Sequence, residues 1–187
     1  MIAFAMCGSY CTHASALEQL RILKDAGEEI IPVFSENVWS TDTRFGTAEE
    51  LQKKVSALCT HPIVHTIPDA EPFGPKIPLE VLVICPCTGN TLAKIASGIT
   101  DTPVTMAAKA QMRQGKPLLI ALSTNDGLGS NLYNLALLLN KKNVFFVPLL
   151  QDDPLKKPFS LSADFRKLSQ ALEGARKGEQ LRPLFCV

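Results

Sequence analysis

The chain has 187 residues, a formal net charge of +1, 46% hydrophobic and 20% charged side chains, a balance expected of one globular domain with a sizeable core. No lysine and arginine cluster stands out, which argues against a nucleic-acid binder, and no apolar run reaches the length of a membrane span. The first strand starts at Ile2 without a basic leader, so a single cytoplasmic domain over 1–187 is expected.

"IAFAMC" (2–7) reads as a buried strand that breaks at "GSYCT". A helix follows over 14–26, with Ala16, Leu17, Leu20 and Leu23 at helical spacing and Gly27 behind the last turn. "EIIPVF" (29–34) is a second strand in which Pro32 signals an irregularity. Thr47 and Glu50 form a capping box for a helix over 47–59, with Leu51, Val55 and Leu58 on its buried stripe. "PIVHTI" (62–67) reads as a short third strand, and the four prolines of "PDAEPFGPKIP" predict an extended loop. "EVLVICP" (80–86) is a fourth strand, trailed by helices over "NTLAKIASGI" and "VTMAAKAQMRQG". "PLLIALS" (117–123), a helix over "NLYNLALLLNK", a strand over "NVFFVPLL" and an amphipathic helix around 161–177 complete the chain.

Continuous apolar strands alternating with helices predict a doubly wound α/β fold: a parallel sheet covered on both faces, in Rossmann-like strand order 3-2-1-4-5. The six cysteines, at 7, 11, 59, 85, 87 and 186, show no C-x-x-C pair, so reduced thiols without metal are expected.

In such a fold ligands bind beyond the carboxyl ends of the strands, where strand order reverses. "GSYCT", "CTGNT" and "TNDGLGSN" follow three of the strands. Glycine admits a close backbone approach, hydroxyls donate hydrogen bonds, and helix-start amides favour an anion. Gly8, Ser9, Thr12, Ser35, Thr88 and Asn90 are therefore candidates for holding a phosphate, with simple helix capping as the competing reading. Neither G-x-G-x-x-G nor G-x-x-x-x-G-K-[ST] occurs. His65 is the histidine placed to move a proton, against a structural role, and His13 would bind the anion if protonated. Lys109, Arg113 and Lys116 would either attract a dianion or form a solvated helix face.

"ICPCTGNTLAKIASGITDTPVT" resembles the segment of FMN-binding cysteine decarboxylase flavoproteins that reads Pro-Ala-Ser-Ala-Asn-Thr, Lys-x-x-x-Gly and Asp-Asn-Leu. Pro86, Thr88, Asn90, Thr91, Lys94, Gly98 and Asp101 match that pattern, and "GSYC" falls at the family's phosphate turn. The resemblance implies a flavodoxin-like three-layer sandwich, FMN as cofactor, and self-association into a homo-oligomer. Within this group "STDTRFG", "DAEPFGPKIPL", "PVTMAAKAQMRQGKP", "STNDGLG" and "QDDPLKKP" are similar to the B subunits of dipicolinate synthases. That implies work beside a dehydrogenase-like A subunit, which carries NAD(P), to oxidise a dihydrodipicolinate-type precursor during sporulation.

The substrate is then a small heterocyclic dicarboxylate. Asn125 would orient one of its carboxylates, or close an Asx-turn, and His65 stands near the decarboxylases' catalytic histidine. The decarboxylase motif Pro-x-Met-Asn is reduced here to Asn125 in "LSTND", which weighs against decarboxylation. A non-catalytic scaffold with a vestigial anion site and an autonomous FMN-dependent decarboxylase are the alternatives.

Overall fold

A computed structural model describes residues 1–186. The elements run β1 (Ile2–Met6), α1 (His13–Asp25), β2 (Ile30–Phe34), α2 (Glu36–Ser40), α3 (Ala48–Leu58), α4 (Ile67–Ala70), β3 (Leu82–Cys87) and α5 (Gly89–Ser97). They continue with α6 (Pro103–Arg113), β4 (Leu118–Thr124), α7 (Ser130–Leu139), β5 (Val144–Phe146), β6 (Leu149–Leu150), β7 (Leu161–Ala163) and α8 (Leu168–Lys177). The sheet runs β2-β1-β3-β4, parallel throughout, with β5 parallel to β4 and an antiparallel β7-β6 extension beside the end of β4.

Side-chain alternation divides the core into two layers. Ala3, Ala5, Leu82, Ile84, Leu118 and Ile120 pack under α4 to α7, and Ile2, Phe4, Met6, Val83 and Leu119 pack under α1, α3 and α8. The doubly wound sandwich is thus present, and β2-β1-β3-β4 is the 2-1-4-5 part of the predicted order, since β3 and β4 are the predicted fourth and fifth strands.

The third predicted strand shrinks to one parallel bridge, Val33 to Val64. Val64 donates to the Pro32 carbonyl at 2.9 Å, and Phe34 donates to the Val64 carbonyl at 2.8 Å. The next pair in that ladder would need N–H groups on Pro32 and Pro62, and proline has none. Pro32 leaves the β1 ladder intact because it points its missing donor at this outer edge.

Three other expectations change. The proline-rich loop is folded rather than extended: it contains α4 and a turn in which Gly74 donates to the Ile77 carbonyl, and Phe73 is fully buried. "NVFFVPLL" splits into β5 and β6 around Val147 and Pro148. The last helix starts at Leu168, because Leu161–Ala163 is drawn into the sheet as β7. The helix α1 ends as predicted, with Gly27 at φ +87° and Glu28 donating back to the Leu23 carbonyl. No described helix is long and apolar enough to cross a membrane.

Candidate functional site

The carboxyl ends of β1, β3 and β4 meet at one rim of the sheet, and the turn at 8–12 divides that rim into two clefts. The first, of about 250 Å³, is lined by Gly8, Tyr10, Ser35, Glu36, Asn37, Thr88, Asn90, Thr91, Lys94 and Thr102. The second, of about 100 Å³, is lined by Ser9, Cys11, Thr12, Ser123, Thr124, Asn125, Asp152, Lys157, Ser160 and Ser162. Gly8, Ser35, Thr88 and Asn90 therefore share the larger crevice, while Ser9, Thr12 and Asn125 share the smaller cleft. His65 lines neither; its ring stacks on Trp39 with centroids 3.7 Å apart, and Nδ1 lies 3.3 Å from the Ile63 carbonyl.

Several candidate hydroxyls are spent inside the protein. Ser9 Oγ donates to Ser123 Oγ at 2.9 Å, Thr12 Oγ1 donates to the Ser9 carbonyl at 2.8 Å, and the Ser9 amide donates to the Cys7 carbonyl at 2.8 Å. Thr88 caps α5 by accepting from the Thr91 amide and donates to Thr91 Oγ1. Thr91 Oγ1 in turn reaches Cys7 Sγ at 3.4 Å.

What remains open in the larger crevice is a set of neutral donors. Ser35 Oγ accepts from the Val38 amide as the cap of α2, which leaves its proton for a ligand. The Asn90 side chain is exposed, and the Gly89 and Asn90 amides begin a nine-residue helix, where no intrahelical carbonyl faces them. Lys94 supplies a cation, but Asp101 holds it through both carboxylate oxygens at 2.9 and 2.8 Å. Glu36 adds an exposed carboxylate. Anion binding here would therefore rest on hydrogen-bond donors more than on net charge.

Gly89 has a protein neighbour as its reason. A Cβ there would stand 2.4 Å from Asn131 Nδ2, 2.6 Å from Thr124 Oγ1 and 3.0 Å from Asp126 Oδ1. Those three residues form one network: Thr124 Oγ1 donates to Asp126, and Asn131 Nδ2 donates to both Asp126 oxygens at 2.9 Å. The hydroxyl of Thr124, with the Asn131 amide, holds the Asp126 carboxyl below its ordinary value. Gly8 differs, since its φ is not positive and a Cβ would meet only the Tyr10 ring at 3.5 Å.

His13 is buried with Nε2 2.8 Å from the Cys7 carbonyl, and burial lowers its pKa from 6.5. It is therefore neutral at neutral pH and serves the turn at 8–12 as a hydrogen-bonded prop. Burial likewise pushes the Cys7 thiol up to about 11.

Sequence reading missed the groups that β7 carries to the second cleft. Ser160 is 3% exposed and donates to Asp152 Oδ1 at 2.7 Å, and Lys157 bonds Asp152 Oδ2 at 3.1 Å. The Ser160 hydroxyl, then Lys157, lowers the Asp152 pKa. No local spacing announces these residues; an antiparallel pairing of Thr124 with Leu161 brings them in.

The chain matches the Flavoprotein family over residues 1–148. It is 45% identical over 183 residues to the dipicolinate synthase B subunit of Bacillus subtilis (strain 168), covering 98% of this chain and 92% of that protein. The crystal structure of the dipicolinate synthase B subunit from Bacillus halodurans C superposes with a TM-score of 0.92 at 41% identity, covering 100% of this chain and 95% of that one. A dodecameric FMN-dependent Ubix-like decarboxylase from Escherichia coli O157:H7 shares the fold, with a TM-score of 0.63 at 20% identity over 79% of this chain and 78% of its own. The chain belongs to the Flavoprotein family and is a homologue of the dipicolinate synthase B subunit.

Proposed function

We propose that this chain is the B-type subunit of a dipicolinate synthase and that it works with a dehydrogenase-like A subunit. The near-full-length match to the Bacillus subtilis protein carries this reading. Turning a dihydropyridine dicarboxylate into an aromatic pyridine removes a hydride and a proton. NAD(P) on the partner subunit would supply the acceptor for the hydride, and the proton would pass to solvent. In this chain the Asn125 carboxamide, exposed in the smaller cleft, orients one substrate carboxylate. His65 is assigned no step, because its ring is occupied by Trp39.

The larger crevice is the proposed seat of FMN or of a phosphate group. Its donor chemistry fits a phosphate: Ser35 and Asn90 line it, with a hydroxyl and a carboxamide, beside the start of α5. The bare backbone of Gly8 supports the same reading, since neither its φ nor its packing calls for glycine. When bound, a flavin would supply a two-electron acceptor at the rim of the sheet.

The test is a titration of the purified chain with FMN, read by quenching of flavin fluorescence. Saturable binding that weakens about tenfold in Asn90→Ala supports this seat. FMN binding unaffected by Asn90→Ala and Ser35→Ala, or no FMN or phosphate binding at all, would overturn it.

A further inference from the structure

A third cavity lies away from the rim, between the end of α5, the outer face of α6 and the segment after α7. Its volume is about 210 Å³, and its walls include Ile95, Ile99, Thr105 and Met112, with Lys109 and Lys141 also lining it. The local sequence builds it. Gly98 ends α5 in the left-handed region at φ +73°, and Ile99 donates back to the Lys94 carbonyl. That turn leaves Ile99 on the outside, 47% exposed, above the nearly buried Ile95. The Thr105 hydroxyl is bonded to Thr102, so this side chain offers the cavity its methyl group. Met112 adds an adaptable thioether wall.

Charge is the second feature. Lys109 and Lys141 are the two lysines that line the cavity, and among the described residues neither is paired with a carboxylate, as holds for most lysines of this chain. No acidic side chain lines the cavity. Two uncompensated ammonium groups thus stand over an apolar pocket, a pairing of features that recognises an amphipathic anion. Size narrows the class, because an apolar cavity of about 150 Å³ takes up benzene. One aromatic ring with its carboxylates suits a cavity of about 210 Å³.

We propose that this cavity is a binding site for a single-ring aromatic carboxylate, with the ring against Ile95, Ile99 and Met112 and the carboxylates at Lys109 and Lys141. The choice of pyridine-2,6-dicarboxylate as the physiological ligand rests on the function proposed above. It would make the cavity a product site separate from the rim clefts.

The experiment is isothermal titration of the purified chain, without its partner subunit, with pyridine-2,6-dicarboxylate, benzoate and inorganic phosphate in separate runs. Saturable binding of an aromatic carboxylate is expected, weaker at high salt. It should fall about tenfold in Lys109→Gln and in Lys141→Gln, vanish in Ile99→Asp, and persist in Asn90→Ala and Asn125→Ala. In a further run, inorganic phosphate added before the pyridine-2,6-dicarboxylate should leave this binding unchanged. The proposal is overturned if neither aromatic acid binds, if the lysine variants bind as wild type, or if Asn90→Ala or Asn125→Ala removes the binding. Titrating the chain alone separates the result from the synthase reading, which is tested by turnover with the partner. Binding of benzoate with none of the pyridine dicarboxylate would keep the site and remove the product role.

Discussion

Gly89 sits in a motif that invites a ligand explanation, and the structure gives it a packing one. An added Cβ would collide with Asn131 and Thr124, whose network with Asp126 braces the loop after β4. Gly89→Ala is expected to lower stability by about 1–3 kcal/mol, the range for overpacking a filled site, as measured by urea denaturation. His13 gives a pH-dependent counterpart. Its folded pKa lies below the ordinary 6.5 because of burial, so below that value the unfolded chain binds a proton that the folded chain refuses. Stability therefore rises with pH through this window and is lost as pH falls below about 6.5. Melting temperatures between pH 7 and 5.5 should show that slope, and His13→Gln should flatten it.

The elements best read from sequence were those whose signals are local. Thr47 and Glu50 form the capping box foreseen for α3, and Gly27 closes α1. Misread elements depended on partners distant in the chain. Residues 161–163 look helical until Thr124 and Ser123 recruit them as β7, and the third strand fails because two prolines meet across a ladder. The segment 68–78 is the sharpest case, since four prolines suggest extension while Phe73 is fully buried in the main core. Phe73→Ala should cost roughly 3–5 kcal/mol, whereas a loop lying extended in solvent would lose almost nothing. Thr102→Ala, which removes the reciprocal cap of α6, should cost about 1 kcal/mol; thermal melts check both.

For the whole molecule, chain-order alternation was enough to place the rim where three strands end; Gly8, Ser9, Thr12, Ser35, Thr88, Asn90 and Asn125 line its two clefts, and His65 does not. Alternation alone does not show that the turn at 8–12 splits them into two clefts, or that Ser9 and Thr12 donate inward. Those outcomes are set by side-chain geometry across strands far apart in sequence, as are Lys157 and Ser160 at the second cleft. The division has a functional consequence. Asn90→Ala should weaken FMN or phosphate binding, while Asn125→Ala should leave that binding intact and slow turnover with the partner subunit. The most direct measurement is formation of pyridine-2,6-dicarboxylate, followed by its ultraviolet absorbance, with the dehydrogenase-like partner supplied alone or together with this chain. The account predicts product only when both are present, and a rate about tenfold lower with Asn125→Ala. Full turnover by the partner alone would contradict it.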